Sequence, residues 1–159
     1  MSLESVQAFL AVHAPDLPII DQGASTATVA LAAEVLGVAE GQIAKTLAVK
    51  VGDERFLIVM AGDARLDNRK TKDSFGARPR MLPAEEVFEL TSHPIGGVCP
   101  FGLAQPMKVC CDVSLKAFDE VYPAAGSRTA SVRLTPARLA ALVDAPWVDV
   151  SQPQIVTVE

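Results

Sequence analysis

The chain has 159 residues, half of them apolar and about a fifth charged, with a net charge of −5. That is enough for one globular domain with a real core, and it excludes a disordered chain. The acidic balance excludes a general nucleic-acid binder, and no apolar run reaches membrane-spanning length.

Leu3, Val6, Phe9, Leu10 and His13 recur at helical spacing, so residues 3–13 read as an amphipathic helix with His13 in its buried stripe, ended by Pro15 and Pro18. Thr28 caps a second helix through Ala33 and Leu36, stopped at Gly37. Residues 44–51 and 55–61 flank Gly52-Asp53-Glu54 and read as a hairpin. Asp67 caps a short basic helix over 68–75, closed by Gly76, and Pro83 opens another through Leu90. Strands are expected at 107–113, 119–122 and 130–134. Thr135-Pro136 starts a helix over 136–143, residues 147–150 close the sheet, and the last eight residues read as a tail. The whole is expected to be a single mixed α/β domain rather than a regular βαβ array.

Three features carry candidate chemistry. The loop Gly96-Gly97-Val98-Cys99-Pro100-Phe101-Gly102 has three glycines and no charge, which suits a segment that presents its backbone closely to a ligand or simply a packed turn. Lys45 alternates onto the apolar face of Leu47, Val49 and Val51, either as a strand-end lysine reaching water or as an ammonium aimed into a pocket. Residues 45–80 hold nine basic and five acidic side chains, leaving the rest of the chain at −9; Arg69, Lys70 and Lys72 belong to this basic window. It is either a solvated face or a surface for a specific polyanion.

Cys99 as a nucleophile needs a base, and sequence does not convert its six-residue separation from His93 into a distance. Three cysteines without a C-x-x-C pattern and two histidines give no metal site and no internal disulfide framework, as in a reduced, cytoplasmic protein. The N-terminus has no basic signal region, and Walker, Rossmann and G-x-S-x-G patterns are absent.

Four segments, Leu36-Gly37-Val38…Gln42-Ile43-Ala44-Lys45-Thr46-Leu47, Gly62-Asp63-Ala64-Arg65-Leu66-Asp67, Gly96 to Gly102 and Tyr122-Pro123-Ala124-Ala125-Gly126-Ser127, together resemble the YbaK/EbsC/ProX family, free-standing relatives of the prolyl-tRNA synthetase editing domain. The resemblance spans roughly residues 15–150. It implies a twisted, partly barrel-like mixed sheet with flanking helices, and a trans-editing deacylase that hydrolyses mischarged small-residue aminoacyl-tRNA, most of all Ala-tRNA(Pro). It maps the family lysine to Lys45 and the G-x-x-x-P loop to Gly96, Gly97, Val98, Cys99 and Pro100. Gly102, Gly126, Arg69, Lys70 and Lys72 are expected to bind substrate or tRNA. Relatives carry serine where Cys99 stands. A serine near Ala124 and an acid near Ser131, expected of cysteinyl-tRNA(Pro) deacylases, are absent. The implied partners are tRNA(Pro) and prolyl-tRNA synthetase, with no cofactor, no metal and a monomeric or weakly dimeric state. The alternatives are a catalytically silent tRNA-binding module, a Cys-tRNA(Pro) deacylase and a thiol enzyme built on Cys99.

Overall fold

The computed structural model describes residues 2–152. Helix α1 spans Ser2–His13, α2 Val29–Leu36, α3 Asn68–Phe75, α4 Ala84–Thr91 and α5 Pro136–Leu142. The three expected side-chain caps close as the sequence implies. The side chains of Thr28, Asp67 and Thr135 accept the backbone N–H groups of Leu31, Lys70 and Arg138. Pro83 precedes α4 without a side-chain cap bond.

Strands are β1 Ile19–Asp21, β2 Ile43–Val51, β3 Glu54–Ala61, β4 Arg80–Met81, β5 Lys108–Asp112, β6 Tyr122–Pro123, β7 Ala130–Val132 and β8 Trp147–Val148. The expected hairpin is present: β2 and β3 pair antiparallel from Val51 opposite Glu54 to Ala44 opposite Ala61. The main sheet runs β4-β2-β3-β5-β8, with β6 also on β2, and is not closed; β1 and β7 form a separate pair. β3, β5 and β8 run parallel, so the chain must cross over between them, and the segment from 62 to 107 makes the first crossing. This crossover carries α3, α4 and the glycine-rich loop.

Both faces of the sheet are covered. On one, Val6 and Leu10 of α1 and Leu139 of α5 pack with Leu57, Val59, Val109 and Cys111. On the other, Val49, Phe56, Ile58, Cys110 and Val150 pack with Phe75. This is why β3 reads as one continuous apolar run, every residue of it from Phe56 on being buried. Cys110 and Cys111 point to opposite faces, and all three cysteines are free.

The structure corrects several expectations. The strand at 107–113 stops at Asp112, because that buried carboxylate turns the chain: it accepts Ser114 N–H at 2.9 Å and Val150 N–H at 2.8 Å and starts a 3-10 turn over Val113–Ala117. The strand at 119–122 shifts to Tyr122–Pro123, and the closing strand shortens to two residues. β1 and β4, at three and two residues, are too short to leave a periodic signal. His13 is exposed rather than buried and stacks on Phe9 at 4.5 Å. The expected tail, apart from Gln152, lies outside the described residues. No helix among the described residues is long and apolar enough to cross a membrane.

Candidate functional site

Lys45 lies three residues into β2, on the face shared with Leu47 and Val49. β2 is incompletely covered along its outer edge. Ile43 and Ala44 pair with β6, Val49 and Lys50 with β4, and Lys45 to Leu47 between them have no strand on that side among the described residues. At this gap lies a cleft of about 230 Å³. One wall is the segment Thr26–Val29 leading into α2, and another is the loop at Ile95, Gly96 and Val98. Tyr122, Ala124 and Ser131 supply the third, with Ile43 to Thr46 between.

The Lys45 ammonium is fixed by the turn after β3, donating to the carbonyls of Gly62 at 3.2 Å and of Ala64. An ammonium has three N–H donors, so one remains for an occupant of the cleft. Burial pushes the Lys45 pKa down, Asp63 opposes that, and the Arg65 charge lowers it further. Gly62 accepts this role because it has no side chain: a Cβ there would stand 2.3 Å from the Glu40 carbonyl oxygen.

The glycine-rich loop is divided between the cleft and its support. Gly96 (φ +89°) lies so close to Ala27 that a Cβ would approach its side chain to 2.8 Å, which joins two walls of the cleft. Gly97 is spoken for internally. Its N–H donates to Pro94 O at 2.9 Å, its carbonyl accepts Gly126 N–H at 3.0 Å, and a Cβ would meet Ser127 N at 2.7 Å. Gly97, Pro100 and Gly126 are buried outside the cleft lining, and Gly102 packs against the Ser5 backbone of α1.

Cys99 is brought against His93, with Sγ 3.5 Å from Nε2, yet both are fully buried and neither lines the cleft. His93 Nε2 is 2.7 Å from Phe101 O, and only a protonated nitrogen can donate to a carbonyl. That nitrogen is therefore no base toward the thiol. Burial pushes the Cys99 thiol up to about 12, against bonds from the backbone at Phe101 and Gly126. The contact is packing rather than a nucleophilic pair. Iodoacetamide at pH 8 should therefore leave Cys99 and Cys111 unmodified in the folded protein and label them after denaturation, and Cys99→Ser should keep most of any turnover. Rapid native-state labelling of Cys99 by mass spectrometry, with matching loss of activity, would restore the thiol to the mechanism.

The basic helix α3 lies away from the cleft. Lys70 holds the C-terminal segment, donating to Asp149 at 3.0 Å and to Ser151 O at 2.9 Å; Arg69 and Lys72 are exposed. The sequence reading missed Thr26, Thr46, Tyr122 and Ser131. Thr46 Oγ1 is buried without a partner among the described residues, and Ser131 is 3% exposed. Their signal is weak: hydroxyl residues without spacing to one another, three in strands and Thr26 in the loop before α2. No cluster among the described residues could hold a metal ion.

Residues 24–142 match the family model of the aminoacyl-tRNA editing domain. The uncharacterised protein YwhH of Bacillus subtilis (strain 168) is 46% identical over 152 residues, covering 94% of this chain and 97% of YwhH. A proline–tRNA ligase of Halalkalibacterium halodurans is 32% identical over 108 residues, 65% of this chain but only 19% of the ligase. A solved structure described provisionally as a trans-editing enzyme for prolyl tRNA synthetase superposes with a TM-score of 0.87 at 35% identity, over 96% of this chain and 98% of that one.

Proposed function

This chain belongs to the aminoacyl-tRNA editing domain family, and from that membership we propose that it is a free-standing deacylase hydrolysing the ester of a small, wrongly attached amino acid on tRNA, foremost Ala-tRNA(Pro). The observation that carries the reading is the cleft lined together by the anchored Lys45 and by Gly96 and Val98. An aminoacyl ester is already activated. It requires a held water, a site for the oxyanion and a small pocket more than strong acid–base groups. Lys45 directs its remaining N–H to the substrate carbonyl or the terminal phosphate, and the backbone around Gly96 and Val98 borders the reacting centre. The similarity to proline–tRNA ligases and to the trans-editing structure supports tRNA(Pro) as the carrier and prolyl-tRNA synthetase as the neighbouring enzyme.

Apolar side chains of Val29, Ala32, Ile43, Val98 and Ala124 line the cleft. Such walls exclude large side chains but separate near-isosteres poorly, one methylene being worth only about 1–3 kcal/mol. Steady-state hydrolysis of alanyl-, seryl-, cysteinyl-, 2-aminobutyryl- and prolyl-tRNA(Pro) tests this. Small esters should be cleaved with overlap between neighbours in size, and the prolyl ester spared. Preference for the prolyl ester, or inactivity on all five, rejects the proposal; inactivity with retained tRNA binding would instead describe a silent binding module.

The exposed Arg69 and Lys72 remain suited to acceptor-stem phosphates. Neutralising both should weaken tRNA binding and flatten its salt dependence by about 0.9 per lost duplex phosphate contact. Hydrolysis of a minimal ester without the tRNA body should hardly change. Equal loss on both substrates would make these residues structural. Lys70 is better left intact in this test, because its removal also frees the segment at Asp149 and Ser151.

A further inference from the structure

Arg128 sits in the turn between Ala125 and Ala130, where it joins two separate walls of the cleft. Its carbonyl accepts both Thr26 N–H at 2.7 Å and Thr26 Oγ1 at 3.1 Å. Its Nε donates to Ile95 O at 2.9 Å. The residue is exposed, and its two terminal nitrogens have no partner among the described residues. A guanidinium held through Nε keeps a flat, outward edge of N–H groups, the geometry that suits phosphate oxygens.

The surroundings fit an anion. No acidic side chain among the described residues lines the cleft, and Lys45, its one basic lining residue, adds a positive charge with one N–H left beyond the two it gives to backbone carbonyls. Asp21, the carboxylate next to the same turn, already accepts Thr129 Oγ1 at 3.1 Å and Gly23 N–H at 2.9 Å. Ile95, to whose carbonyl the guanidinium is bonded, is 55% exposed and lines the cleft, an apolar residue against which a nucleobase can lie.

We propose that Arg128 binds the phosphodiester next to the 3′-terminal nucleoside of the acceptor strand, holding that nucleoside against Ile95 so that its ester enters the cleft. This rests on the deacylase reading for the identity of the strand. Arg128 is thus a positioning residue: it grips the phosphate while its backbone and Nε keep the two walls in register.

The test uses Arg128→Gln and Arg128→Lys in the full chain, with thermal unfolding as the folding control. The first measurement is binding of a CCA trinucleotide over a range of salt. Arg128→Gln should weaken it by about tenfold or more, with the salt slope falling by about 0.7, and Arg128→Lys should recover part of the slope. The second is hydrolysis of an aminoacyl ester of adenosine, which has no phosphate, beside that of the aminoacyl-tRNA. Arg128→Gln should raise KM for the tRNA with little change in kcat, and its effect on the adenosine ester, which feels only the loosened Ile95 wall, should be several-fold smaller. Equal loss on both esters, an unchanged trinucleotide slope, or no trinucleotide binding by the unaltered protein overturns the proposal. If the protein binds the trinucleotide through Arg128 but cleaves no ester, the deacylase reading fails and the phosphate site stands.

Discussion

Replacing Lys45 by alanine should lower deacylation of the preferred aminoacyl-tRNA by about 10²–10³-fold, the usual scale for losing one preorganised electrostatic contact in a reactive site. The fold should survive. The ammonium is half-buried at the cleft, and its removal leaves two carbonyls, of Gly62 and Ala64, beside space that water can enter. The same placement gives a pH signature. Burial depresses the Lys45 pKa, so the ammonium is lost at a lower pH than that of an exposed lysine. Enzymatic turnover, corrected for spontaneous ester hydrolysis, should therefore fall with rising pH through this lowered pKa, and Lys45→Ala should abolish the fall. Near-normal turnover by a folded Lys45→Ala protein would remove the residue from the mechanism.

The second large effect should come from a methyl group. Gly62→Ala places a Cβ 2.3 Å from Glu40 O, 2.7 Å from Val29 Cγ1 and 3.1 Å from Ile43 O. The first and last are backbone atoms and cannot swing aside, so the turn itself must move. Overpacking of this kind costs about 1–3 kcal/mol, read as a lowered midpoint in chemical denaturation. The displaced carbonyl is one of the two that hold Lys45. Activity should drop in the folded protein as well, and the Gly62→Ala/Lys45→Ala double variant should lose little more kcat/KM than Lys45→Ala alone, because both act through one ammonium. Additive losses would show that Gly62 influences catalysis by another route.

The parts of this molecule legible in its sequence are those with local causes. The caps at Thr28, Asp67 and Thr135 need only neighbours three residues away, and the β2–β3 hairpin follows from two apolar runs about a short turn. Lys45 was conspicuous because a cation on an apolar strand face needs a reason, and Gly96 because it stood in a run of glycines. What binds the site together was not legible. The carbonyl anchors of Lys45, the contact of Gly96 with Ala27 and the grip of Arg128 on Thr26 join segments far apart in the chain, and nothing in their residue types announces the pairing. The cysteine shows the reverse case: Cys99 and His93 do meet, but the burial that brings them together also raises the thiol pKa beyond use.

The bond from Thr26 to Arg128 spans 102 positions and that from Asp21 to Thr129 spans 108. A chain emerging from the ribosome can therefore complete α1, α2 and the β2–β3 hairpin long before the third wall of the cleft exists. Closing so wide a loop is slow, since its entropy must be lost before the late contacts compensate. The cleft cannot be complete before residues 122–131 have left the ribosome, so on the deacylase proposal a shorter nascent chain lacks the site with which to attack the aminoacyl-tRNAs around it.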